Sequence, residues 1–223
     1  MADRGMTPPA DLRRAIANDL RPVVPLASPF RRTLLLIPLA IVLLFAAPAI
    51  FGYRRDAPAL GVSLTWLASI AQMVLGLAIT AAALREAVPG TTLSRRAVGA
   101  AFGLALFAAF AITWLTWRAS ATTIAPGFVG YVWRVCLAGT ILSALPLLAA
   151  AGWLAARAFP LRPRIAGALY GVGAGLVADA GWRLFCHFSD PAHVLQSHTV
   201  AILLLGFLGA TLTRMATRTR RAR

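Results

Sequence analysis

The stretch "TLLLIPLAIVLLFAAPAIF", Thr33–Phe51, runs through nineteen positions without one charged side chain. Five more apolar runs follow: Leu60–Leu84, Ala97–Trp117, about Val132–Ala156, Ile165–Phe185 and Val194–Thr213. About twenty apolar residues, wound as a helix, cross a hydrocarbon core of roughly 30 Å. Charged residues make up 13% of the chain, about half the share of a soluble domain, and mean hydropathy is +0.75. These runs have no soluble home, so the chain reads as an all-α integral membrane protein with six transmembrane helices. Pro38 and Pro146 fall inside two of the runs, where neighbouring helices can satisfy the carbonyls that proline frees. Thirty-two residues precede the first run. That is too long for the charged head of a signal peptide, so this run is expected to stay as a helix.

Every one of the 22 basic residues is arginine, and the net charge is +15. A basic chain invites a nucleic-acid reading, but these arginines are spread between the apolar runs rather than gathered in one domain. Their sidedness is the useful signal. Seventeen fall on one side: six before the first run, Arg85, Arg95, Arg96, Arg157, Arg162, Arg164, and five in the tail "RMATRTRRAR". The other side has five, Arg54, Arg55, Arg118, Arg134 and Arg183. Cytoplasmic loops carry the excess of arginine and lysine, so both termini are expected in the cytoplasm. Loops of roughly ten to fifteen residues leave no room for a second globular domain between helices. The organisation expected is a cytoplasmic segment over residues 1–32, a six-helix domain over 33–213 and a basic tail over 214–223.

Only the first thirty residues could form a separate module. In "TPPADLRRAIANDLRP", Thr7 is a plausible N-cap, Pro8 suits the first helical turn and Pro22 stops the helix. Leu12, Ile16 and Leu20 recur every fourth residue and form one apolar stripe beside Arg13, Arg14 and Asp19. "RPVVPLASPFRR" then gives a stiff, extended connector to the membrane. Such a helix either lies on an anionic leaflet or binds a partner, and its shortness means that something must cover the stripe to order it.

The fifth run places Gly167, Gly171 and Gly175 four residues apart, a spacing that lets another helix backbone come close. Asp179 is a carboxylate inside a membrane run and Arg183 lies one turn on, so the two are expected to pair. A proton relay is the less favoured role. Cys136 opens the fourth run and Cys186 closes the fifth. Counted along the helices, their sulfurs lie on the order of 14 and 16 Å above the midplane, both on the outer side. Shared level makes a disulfide possible in an oxidising compartment, given the right facing. His187, His193 and His198 lie in the same outer loop or at its edge. Two thiolates with one or two imidazoles, read as Cys136, Cys186, His187 and His198, would suit a soft heavy-metal ion held transiently. The spacing matches no standard metal motif, and a single cysteine is more often a small buried apolar residue than a sensor.

Three features together resemble the NrsF-like family of polytopic inner-membrane anti-sigma factors. One is the head "ANDLRPVVPLASPFRR". Another is Cys136 followed by Ser143 and Pro146. The third is Cys186 with Pro191 and His198, leading into "AILLLGFLGATLTR". The resemblance spans residues 10 to 214. It departs from the family pattern where His187 follows the second cysteine rather than a histidine preceding it, and Asp190 is the one acid nearby. The zinc-type signature H-x-x-x-C-x-x-C of soluble anti-sigma factors is absent, so sigma binding would fall to the short helix. The resemblance implies a membrane-bound anti-sigma factor that sequesters an extracytoplasmic-function sigma factor and lets it go under oxidant or heavy-metal stress. It implies Leu12, Ile16, Asp19, Leu20, Pro22 and Val23 as sigma contacts and Cys136 and Cys186 as sensors.

The main rival reading is a small six-helix transporter or channel, which would want midplane polar groups and internal repeats. Asp179 is off-centre and the halves show no convincing repeat. A thiol oxidoreductase normally needs a second cysteine pair to pass electrons on, and the chain has two cysteines in all. No nucleophile–base constellation is seen, so no enzyme activity, and no direct nucleic-acid binding, is expected.

Overall fold

The computed structural model describes residues 9–20 and 26–221. Among these, every regular element is helical. A short helix, α1 (Ala10–Asp19), is followed by six helices long and apolar enough to cross a membrane. They are α2 (Pro29–Phe51), α3 (Ala57–Glu86), α4 (Arg95–Ala119), α5 (Pro126–Ala156), α6 (Pro163–Phe185) and α7 (Pro191–Thr219). Each of the six apolar runs became one of these helices, and each helix extends beyond its run at one or both ends. The extensions come from capping. Ser28 accepts from the Arg31 amide, Ser94 from Ala97 and Asp190 from Ala192, which satisfies amides that a helix start leaves open. Pro29, Pro126, Pro163 and Pro191 stand at the starts of four of the helices, where a missing N–H costs nothing.

The helix at the centre of the bundle is α6, with 89% of its apolar window buried, against 17% for α4. It packs most extensively against α7 and α3, then against α2 and α5. Small residues make this possible. A Cβ on Gly167 or Gly171 would overlap the carbonyls of Gly209 and Leu205 on α7, and Gly175 lies against Ile202 of the same helix. The expected glycine seam therefore packs α6 on α7. Two glycines outside that seam serve other faces: Gly173 admits Gly76 and Thr80 of α3, and Gly181 admits the Leu43 carbonyl of α2. In lipid, where apolar burial between helices gains little, this close backbone contact is a main source of association.

Polar bonds sort the helix ends into two groups. At one end Arg32, early in α2, donates to the carbonyl oxygens of Leu84 in α3 (2.8 Å) and Leu154 in α5 (3.1 Å). There too Arg162, before α6, clamps Glu86 of α3 through two 2.6 Å bonds. At the other end Arg54, just after α2, donates to the Arg183 carbonyl of α6 (3.0 Å) and to Ser189 (3.2 Å). The start of α2 thus lies level with the ends of α3 and α5, and the end of α2 lies level with the end of α6. Both cysteines are at the Arg54 end.

A candidate thiol–imidazole site

The site forms where α5 passes the end of α6 and the start of α7. Gly139 lies one turn from Cys136, and the Trp182 indole occupies the space a side chain at 139 would fill. The same indole donates to Ser143 Oγ at 2.9 Å. These two contacts press α5 onto α6 beside the cysteines. Helix α6 stops at Phe185, and Cys186 leaves it in extended conformation while its amide still bonds the Trp182 carbonyl at 2.8 Å. The loop beyond is pinned from three sides. Thr122 donates to the His187 carbonyl, the Ser189 amide donates back to Thr122 (3.0 Å), and Arg54 holds Ser189.

The result brings the two sulfurs to 3.8 Å from one another, both thiols being free and buried. His193 Nε2 lies 3.4 Å from Cys186 Sγ, while its Nδ1 faces Ser197 Oγ at 3.2 Å. His198 Nδ1 is 2.5 Å from Asp179 Oδ1, and the two imidazole rings meet edge to face at 5.4 Å. One ligand atom from each of Cys136, Cys186, His193 and His198 lies within 4.8 Å of every other. The hydrogen bond with Cys136, opposed by burial and assisted by His193 and His198, holds the Cys186 thiol well below its ordinary value.

Asp179 anchors this cluster from the core of the bundle. It is fully buried and accepts from Arg183 Nε at 2.9 Å, as its position one turn away predicts, and from Gln72 Nε2 of α3 at 2.7 Å. With His198 it gathers three partners on three helices. A buried carboxylate is tolerable only when so satisfied.

A known protein family matches most of the chain. The model for "NrsF: Negative regulator of sigma F" matches residues 16–218. The chain belongs to the NrsF family. No curated protein and no solved structure matches it. The family is one of negative regulators of a sigma factor, and six apolar helices make this NrsF-family chain a multi-pass membrane protein.

The sequence-predicted residues divide into two places. Cys136, Cys186 and His198 come together, but the imidazole beside them belongs to His193 rather than His187. His187 packs on Phe188 with centroids 4.2 Å apart and lines a groove that both cysteines also line. The reason is local: residues 193 and 198, five apart, would lie about 140° apart on a regular α-helix. Residues Leu195–Thr199 instead form a π turn, whose i→i+5 bonding widens the helix and brings both rings to one side. Sequence spacing gave no sign of that turn, nor of Gln72, which lies more than a hundred positions from Asp179. The wide pairing of Asp179 with His198 was equally invisible.

The proposed partner-binding residues lie elsewhere. Leu12, Ile16 and Asp19 of α1 are exposed, as is Leu20, its C-cap in extended conformation, at 73%. The helix begins at Ala10 with Pro9 as its N-cap, later than the Thr7 start expected from the sequence. Pro22 and Val23, like Thr7 and Pro8, lie outside the described residues. The family match begins at Ile16, within α1.

Proposed function

We propose that this chain is an anti-sigma factor of the bacterial inner membrane, with both termini in the cytoplasm and the cysteine end outside. It holds an extracytoplasmic-function sigma factor on α1 and releases it when oxidants or heavy metals act on Cys136 and Cys186. The observation that carries this reading is the 3.8 Å approach of the two free cysteines, on neighbouring helices, in a chain of a sigma-regulator family. Two thiols so placed respond together to an oxidant, by joining, or to a thiophilic ion, by sharing it.

Three further features support it. Seventeen of 22 arginines fall on the side of the termini, as the positive-inside rule requires for cytoplasmic ends. Leu12 and Ile16 on α1 and Leu20 at its C-cap are open, as an amphipathic helix awaiting a groove would be. Arg32 ties the start of α2, just after that segment, to the Leu154 carbonyl of the helix that carries Cys136. In this reading a shift of α5 at the thiols is passed to the start of α2 through that contact.

The test is a sigma-dependent transcription reporter exposed to cadmium or chromate. The native chain is expected to induce, and Cys136→Ser, Cys186→Ser and the double variant are expected to stay repressed. Normal induction in the double variant would remove the sensor assignment.

A further inference from the structure

The proposed sensor needs a ligand, and the geometry at the cysteine end specifies one. A tetrahedral zinc ion bound by two thiolates at about 2.3 Å sets its sulfurs about 3.8 Å apart. Cys136 and Cys186 are already 3.8 Å apart. A disulfide would need the same atoms at about 2.05 Å. An edge between sulfur and imidazole nitrogen in that tetrahedron is about 3.6 Å, and Cys186 Sγ to His193 Nε2 is 3.4 Å.

The histidines are oriented as ligands are. A metal-bound imidazole almost always presents one nitrogen to the ion and fixes the other on a carboxylate, carbonyl or similar group. His198 has Nδ1 on Asp179 and His193 has Nδ1 facing Ser197, so Nε2 is the nitrogen each has left. Asp179 is itself held by Arg183 and Gln72. That is a carboxylate–histidine pair with its own support, built before any ion arrives. His187 is not in the group of four.

Charge and access agree. Two thiolates, two neutral imidazoles and a divalent cation sum to zero charge, so the ion enters by displacing the protons that these four side chains hold. Neutrality matters because all four residues are buried, and an uncompensated charge there would be costly. A groove of about 320 Å³, lined by Phe51, Tyr131, Phe185 and His187 among others, is also lined by both cysteines.

We propose that Cys136, Cys186, His193 and His198 form a four-coordinate site for a thiophilic divalent cation of the zinc and cadmium type, with Asp179 as the residue that positions His198. This deepens the sensor reading by naming its ligand and rests on that reading for its regulatory consequence, whereas the binding itself is measured without any sigma factor.

The experiment uses the full chain, reduced and metal-free in detergent, titrated with zinc or cadmium chloride and examined by X-ray absorption. One ion per chain is expected, with a shell of two sulfurs and two nitrogens. His193→Gln and His198→Gln are each expected to lower affinity at least tenfold and to remove one nitrogen from the shell. His187→Gln is expected to leave both unchanged. Asp179→Asn is expected to cost ten- to a hundredfold with the two-sulfur, two-nitrogen shell kept. Ser197→Ala, a milder change that leaves every ligand in place, is expected to weaken binding a few-fold, which covers the case of a histidine variant that does not fold. A shell of sulfur alone, affinity indifferent to His193 and His198, or no stoichiometric binding would overturn the site. If the ion binds as described but never induces the reporter, the sensor reading fails and the site stands. If oxidants still induce through the cysteines of a chain that binds no metal, the site fails and the sensor reading stands.

Discussion

The cysteine end of the bundle and the helix α1 are built on opposite principles. At the cysteine end, polar side chains are buried and the charged ones are paired: Asp179 alone gathers Arg183, His198 and Gln72, while Gln72 Oε1, Thr140 Oγ1 and Thr199 Oγ1 make no hydrogen bond. In α1, apolar side chains are exposed and no residue is buried. Each arrangement is costly in isolation, for opposite reasons. Buried charge must be paired and cannot be disturbed in part, while an uncovered apolar stripe on a ten-residue helix has no packing to hold it. The first region therefore has its charges paired internally, and the second is left to be completed by another molecule. A sensor and a binding segment need just that division.

The contrast can be broken most severely at Asp179. Asp179→Ala strands Arg183 and two further donors in the core, at a cost of about 3–5 kcal/mol. Thermal denaturation of the detergent-solubilised chain should show a large loss, whereas any substitution in α1 should leave the transition where it is. Next comes the reverse test. Leu12→Asp or Leu20→Asp should reduce co-purification of the sigma factor at least tenfold with an unchanged denaturation profile. Retained co-purification would sink the assignment of the stripe. Arg32→Met tests the connection between the two regions. It leaves the Leu84 and Leu154 carbonyls short of a donor, a loss of about 1–3 kcal/mol. It should also blunt cadmium induction while metal uptake at the thiols is unaltered. The smallest effect is expected from Ser143→Ala, which removes one hydrogen bond to Trp182, worth about 0.5–1.5 kcal/mol. A modest fall in denaturation temperature would register it.

Much of the bundle was legible in the sequence because the bilayer imposes a coarse rule: length and apolarity alone locate a spanning helix. The glycine seam and the Asp179–Arg183 pair were legible for a similar reason, since both follow from spacing within one helix. The shared level of Cys136 and Cys186 followed from counting residues along two antiparallel helices. What spacing cannot reveal is contact between helices or a local change of helical pitch. Gln72 reaches Asp179 across such a contact, and the π turn at Leu195–Thr199 moves His193 into the place expected for His187. The clamp of Arg32 on α3 and α5 was hidden too. In the sequence that residue reads as one more arginine of a positive-inside segment, yet it is buried and donates to two helix ends.

The central claim is that chemistry at the cysteines governs retention of a sigma factor at the far end of the same chain. The most direct measurement is the affinity of the full chain in lipid nanodiscs for its sigma factor, with and without cadmium, for the native protein and the Cys136→Ser, Cys186→Ser double variant. The account predicts that cadmium weakens retention at least tenfold in the native chain and leaves the double variant unaffected. Equal retention with and without the ion in the native chain, or an equal loss in the double variant, would contradict it.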